Sequence, residues 1–158
     1  VLVRMLGRPV AVRAEANRIY GEVEDELHAM MTLADGGEVG FDCSWSVPGY
    51  ARASTVIELA GAEGRLLASD EALEVELGRP AAGLPAGYSR LRDADFPAPA
   101  RFDFGGETLW RHDAVFLDWL AGGAAPPNEA GAALEAHRVM DALYRSAAAG
   151  GTTVEVAS

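Results

Sequence analysis

In SWSVPGYARAS, residues 44–54, a phenol and a guanidinium, Tyr50 and Arg52, follow a strand-breaking Pro48-Gly49 pair. A ring that stacks and a fork that donates hydrogen bonds, set on a bend at a sheet's end, suit a polyhydroxylated ligand. A core Trp45 followed by a turn Tyr50 reads the same residues equally well. His28 alternates onto a polar face where Asp42 and Ser44 are within reach across a hairpin, which predicts a hydrogen-bonded or interface histidine. Metal chemistry has little support, because His28, His112, His137 and Cys43 fall on four separate elements with no CxxC or HxxxH spacing. His137 and Asp141, four apart on one helix, are expected to pair locally, and Asp113 and Asp118 to be solvated. Ser44 and Ser46 lie in a strand pattern and not in a Gly-x-Ser-x-Gly elbow.

Nucleotide chemistry is equally unsupported by these residues. The chain has no Gly-x-Gly pair and no lysine, so neither a dinucleotide fingerprint nor a P-loop can be assembled from it. Gly61-Ala62-Glu63-Gly64 joins two strand patterns and reads as a turn, not a phosphate cradle. A formal charge of −11, from 24 acidic and 13 basic residues, repels phosphate backbones and disfavours nucleic acid as a partner. No apolar run approaches the about 20 residues that span a bilayer. The single cysteine, Cys43, sits in an apolar alternation as buried thiols do, and a cytoplasmic home is the expectation.

The elements that must position these groups are legible in the periodicity. VLVRMLG is in helical rhythm, and RPVAVRAEAN puts Val10, Val12, Ala14 and Ala16 on one strand face. ELHAMMTLA turns Leu27, Ala29, Met31 and Leu33 one way, and EVGFDCSWSV does so with Val39, Phe41, Cys43, Trp45 and Val47. For both sets to share a face, opposed residue numbers must sum to an even value. That favours a three-residue loop with a left-handed glycine at Asp35-Gly36-Gly37 over a two-residue turn. STVIELA, RLLAS and ALEVEL continue the meander, with Leu73, Val75 and Leu77 facing in and Glu74 and Glu76 out. Residues 78–100 show no pattern and suggest a surface excursion or flap; RFDF is a possible further short strand.

TLWRHDAVFLDWLAGG predicts a helix with Leu109, Phe116, Leu117 and Leu120 along one stripe, ended by Gly122 and Gly123. A longer one starts near 128–131 and ends at Gly150-Gly151, repeating Ala136, Val139, Met140, Leu143, Tyr144 and Ala147. TTVEV closes as a strand. At 158 residues with 49% hydrophobic content, one domain is expected. The class is α+β, a mostly antiparallel open sheet with helices on one face. Its other face would carry Glu15, His28, Met30, Thr32, Asp42, Ser44, Ser46, Val56 and Glu58 and be free for a partner or a pocket.

In their order and spacing, these segments resemble the C-terminal domain of the Gfo/Idh/MocA family of NAD(P)-dependent oxidoreductases. The matching pieces are LGRPVAVRAE after a helix, LADGGEVGFDCSW as the central hairpin and VIELAGAEGRL as the glycine-turn pair. HDAVFLDWLAGG and ALEAHRVMDALYRSAAAGGTTVEV close the chain, and the run Tyr144-Arg145-Ser146-Ala147 before glycine is the most specific. The likeness covers nearly the whole chain and is thinnest over 78–100.

The resemblance implies a Rossmann domain outside this chain that binds NAD or NADP and supplies a Lys from a Glu-Lys-Pro motif, so that this chain binds no cofactor alone. It implies that Val1 follows closely on the family's Asp-x-x-x-His and that residues 1–7 are the tail of that helix. It further implies a pocket wall for a sugar, cyclitol or related polyol, to which Tyr50, Arg52, Trp110 and Arg111 would contribute. The open face, with His28, Met30, Thr32, Asp42, Ser44 and Ser46, would join protomers of a homo-oligomer. Catalytic residues are expected to be absent from these 158 residues. A standalone dimerisation or ligand-binding module that lost its cofactor domain is the other reading.

Overall fold

A computed structural model describes residues 2–49, 54–96, 107–126 and 129–157. The alternating segments become strands: β1 (Pro9–Asn17), β2 (Glu26–Leu33) and β3 (Glu38–Ser44), preceded by the short helix α1 (Leu2–Leu6). Farther on come β4 (Ile57–Gly61), β5 (Gly64–Ala68), β6 (Leu73–Leu77), β7 (Gly87–Leu91), α2 (Glu107–Leu120), α3 (Ala130–Ala148) and β8 (Val154–Glu155). The class is α+β, as expected. The strands form two antiparallel sheets of four, ordered β3-β2-β1-β8 and β4-β5-β6-β7. Two units result, 1–48 with 115–158, and 49–114.

In the first unit the even register holds, with Ala29 opposite Phe41 and Met31 opposite Val39. Leu33 and Gly37 close a loop of Ala34, Asp35 and Gly36 through a 2.8 Å bond from Leu33 N–H to Gly37 O. Gly36 takes φ +87°, the left-handed position that the loop demands. Val12, Ala14, Ala29 and Met31 point inward onto Val139, Ala142 and Leu143 of α3, with Val156 beside them.

Inward expectations fail at Val10, Trp45, Val47 and Cys43, at the first three because the period of two breaks. A register shift between Pro9 and Ala11 reverses parity there, so Pro9 is buried and Val10 is 46% exposed. Beyond Ser44 the β3 pairing stops, so Trp45 and Val47 turn outward. Cys43, near the end of an edge strand, is exposed where a buried thiol was expected.

The buried stripe of α3 is Val139, Ala142, Leu143 and Ser146, whereas Met140 and Tyr144 of the expected repeat are exposed. Ser146 explains its place. Its Oγ accepts the Ala14 N–H at 2.9 Å and donates to Thr152 O at 2.6 Å. Because β8 pairs with β1 only at Ala11 and Val12, this hydroxyl satisfies a strand N–H that β8 does not reach. Asp141 pairs with Arg145, Nε to Oδ2 at 2.8 Å, and not with His137 as the spacing suggested. Glu129 caps α3, its carboxylate accepting the N–H groups of Gly131 and Ala132 at 2.7 and 2.9 Å.

In the second unit, Gly61 and Gly64 face each other across a two-residue turn between β4 and β5, as expected. A Cβ on Gly64 would stand 2.2 Å from Glu76 O, so β6 approaches as only glycine permits. Leu59, Leu66 and Val75 share a row on the apolar face, and Glu58, Arg65, Glu74 and Arg90 lie on the other, where Arg65 Nε meets Glu58 Oε1 at 2.7 Å. The stretch that showed no pattern supplies β7, recruited to the free edge of β6, with Tyr88 opposite Glu76. Only Ser89 and Leu91 of β7 turn toward the apolar face, too little alternation to register as a strand. The apolar face lines a groove of about 700 Å³ with Leu59, Leu66, Val75, Leu77 and Leu84.

Phe116, Leu117 and Leu120 of α2 share a stripe that is exposed, and Phe116 meets Trp119 edge to face at 6.2 Å. Asp113 and Asp118 are exposed, as expected. The possible strand at 101–104 lies outside the described residues. No helix among those residues is long and apolar enough to cross a membrane.

Candidate functional site

Antiparallel pairing places the polar residues of the first sheet's open face in rows. Glu15, His28 and Asp42 are opposed across β1, β2 and β3, and Asn17, Glu26 and Ser44 form the next row. Arg13 with Met30, and Ala11 with Thr32 and Glu38, continue the face. Of the residues expected to form an interface, His28, Met30, Thr32, Asp42 and Ser44 are thus gathered on one exposed surface. Ser46 lies past the end of β3 and is buried. Val56 and Glu58 belong to the second unit.

The face is internally bonded. His28 Nδ1 is 2.7 Å from Asp42 Oδ1, and its Nε2 is 3.7 Å from Glu26 Oε2. Ser44 Oγ donates to Glu26 Oε1 at 2.9 Å and accepts the Ser46 N–H at 3.0 Å. The hydrogen bond to Asp42, opposed by desolvation and helped by the charges of Asp42 and Glu26, raises the His28 pKa above its ordinary value. Such a histidine holds its proton more firmly, and it is exposed. Among the described residues no group of three or more His, Cys, Asp or Glu side chains could hold a metal ion.

A second constellation sits at the end of this sheet, and periodicity gave no sign of it. Asp25 accepts the backbone N–H of Ile19 at Oδ1 (2.9 Å) and of Tyr20 at Oδ2 (2.8 Å). Its carbonyl accepts the Trp45 N–H at 2.8 Å, and its own N–H donates to Asn17 O at 3.0 Å. Desolvation pushes the Asp25 carboxyl up, but the N–H groups of Ile19 and Tyr20, with Ser46 and its own N–H, together outweigh it and hold the group below its ordinary value. Ser46 Oγ is buried beside this carboxylate without a well-aligned partner. The signal available in sequence was an Asp closing a glycine-containing loop ahead of a strand, which is how side-chain caps of backbone turns read.

Tyr50 and Arg52 lie outside the described residues. Trp110 and Arg111 lie in α2, where the backbone alone is described.

Nothing described forms a dinucleotide cradle. The glycine turn links two antiparallel strands. The N–H groups that open α3 are occupied by Glu129, whose charge would repel a phosphate there.

What the geometry defines is an α+β fold whose first sheet has one helix-covered face and one polar open face. No protein-family model matches the chain, and no curated protein sequence does. Solved structures do. A levoglucosan dehydrogenase in complex with NADH and L-sorbose matches 99% of the chain at 21% identity and a TM-score of 0.78, using 47% of its own length. An oxidoreductase from Agrobacterium radiobacter, in complex with NAD+, L-tartaric acid and magnesium, matches 98% at 20% identity and a TM-score of 0.77 over 45% of its length. An aldose-aldose oxidoreductase from Caulobacter crescentus, complexed with glycerol, matches 97% at 21% identity and a TM-score of 0.65 over 43% of its length. At such identities the likeness establishes a shared fold. The chain spans less than half the length of each of these enzymes.

Proposed function

We propose that this chain is the substrate-binding and oligomerisation domain of an NAD(P)-dependent oxidoreductase acting on a sugar, cyclitol or related polyol. The observation that carries this reading is the match of essentially the whole chain to under half of an NADH-bound sugar dehydrogenase. The cofactor belongs to a part of the protein outside this domain, so no step of hydride transfer is assigned to these residues. Their role is to bind the polyol, orient it and exclude water. Tyr50, Arg52, Trp110 and Arg111 are the proposed substrate contacts, and the open face through His28, Met30, Thr32, Asp42 and Ser44, with Ser46 at its margin, is the proposed interface between protomers. A cytoplasmic enzyme fits this reading.

The test uses the gene product as encoded, supplied with NAD or NADP and a panel of neutral sugars and cyclitols, following nicotinamide absorbance. Turnover of at least one polyol is expected, with KM raised by Arg52→Ala or Arg111→Ala. No turnover across the panel with either cofactor would sink the reading. For the interface, Thr32→Arg or Ser44→Arg should yield monomers by light scattering; unchanged oligomers would remove the open face from that role.

A further inference from the structure

Trp45 and Tyr20, 85% and 78% exposed, are the two most exposed of the large apolar side chains among the described residues, and one residue fixes them both. Asp25 holds Tyr20 through its carboxylate and Trp45 through its carbonyl. The segment 18–25 is fastened again at Glu24, which accepts the Tyr144 hydroxyl of α3. Ordering a loop costs roughly 1–2 kcal/mol of backbone entropy per residue. Loops commonly offset that cost by burying apolar side chains, yet Ile19, Tyr20 and Val23 all remain in water here. A loop fastened so as to hold rings outward has the character of a preorganised recognition surface.

We propose that Trp45 and Tyr20 are the stacking residues for the carbon face of a neutral polyol, and that the Asp25 carboxylate is the positioning group for Tyr20. This rests on the oxidoreductase reading above and narrows its substrate class. The aromatics supply flat apolar faces of the kind that the C–H side of a sugar ring covers. The charge around them selects against anions: between residues 18 and 26, Glu22, Glu24, Asp25 and Glu26 stand against Arg18. A phosphorylated or carboxylated sugar would meet repulsion that a neutral one does not. The Asp25 carboxylate is committed to the backbone N–H groups of Ile19 and Tyr20 and acts through the Tyr20 segment it holds.

The experiment measures steady-state kinetics of the gene product as encoded, with the best neutral polyol of the panel and with its phosphorylated counterpart. Trp45→Ala and Tyr20→Ala should each raise KM about tenfold or more while kcat stays within about twofold, the pattern of lost ground-state stacking. Asp25→Ala should raise KM likewise, Trp45→Phe should restore most of the loss, and the phosphorylated counterpart should show kcat/KM at least about tenfold lower than the neutral polyol. Turnover with KM unchanged in Trp45→Ala and Tyr20→Ala overturns the stacking role and leaves the oxidoreductase reading standing. Loss of the oligomer by light scattering, without a KM change at matched assembly, makes the patch a protein interface and overturns the proposal too. Equal or better use of the phosphorylated sugar overturns the charge argument. Absence of turnover for every polyol sinks both readings together.

Discussion

His28 and Asp42 face each other across the β2–β3 pair with Nδ1 2.7 Å from Oδ1, and the contact is placed by the parity of the three-residue loop that Leu33 and Gly37 close farther along the hairpin. Had the loop imposed an odd register, the two side chains would stand on opposite faces.

A pH dependence follows from this pair. The His28 pKa is raised, so the folded state binds the proton more tightly than the unfolded chain does. The pair therefore stabilises the fold below the unfolded histidine's pKa, and that contribution is lost as pH rises through the folded value. An NMR titration of the His28 ring should show a midpoint above about 6.5, the ordinary value, and Asp42→Asn should lower it. An unchanged midpoint in Asp42→Asn would exclude Asp42 as the cause.

Ser146→Ala should cost about 1–3 kcal/mol of stability in urea unfolding, because it leaves Ala14 N–H and Thr152 O without their shared partner in a dry site. A loss below about 0.5 kcal/mol would mean that other groups satisfy both.

The rotational phase of α3 is tested by two truncations. Leu143→Ala should cost about 2–5 kcal/mol and Met140→Ala less than about 1 kcal/mol, since Leu143 is in the core and Met140 is half exposed. Equal losses would place both positions in the core, as the apolar repeat alone suggests.

Two glycines make a matched contrast. Gly36→Ala meets open space and suffers only the left-handed backbone penalty, about 1 kcal/mol. Gly64→Ala drives a methyl toward Glu76 O and should cost about 1–3 kcal/mol through displacement of the β5–β6 pair. The second variant should melt lower than the first; the reverse order would show that the β5–β6 pair yields easily.

Much of the fold is legible in the sequence because periodicity survives wherever one face is buried. The hairpin register, the glycine turn and both long helices follow from spacing alone. What periodicity misses is decided by events a few residues long. The bulge beside Val10 reverses parity without any change of composition, and the end of pairing at Ser44 turns Trp45 from an inward position to an outward one. β7 lacks an apolar alternation of its own and is ordered by a neighbouring edge. The candidate site divides the same way. The His28–Asp42 pair is an outcome of register and could be read, whereas the Asp25 clasp depends on where a side chain bends back to its own loop, which no repeat encodes.

The exposure of Cys43 gives the molecule a practical handle. Thiol-directed reagents find one target in these 158 residues, and amine-directed ones find no lysine at all. A maleimide dye or spin label at Cys43 would sit between Asp42 and Ser44 on the outer strand of the first sheet. Its reaction rate and spectrum would then register, without any substitution, whatever comes to rest along that edge.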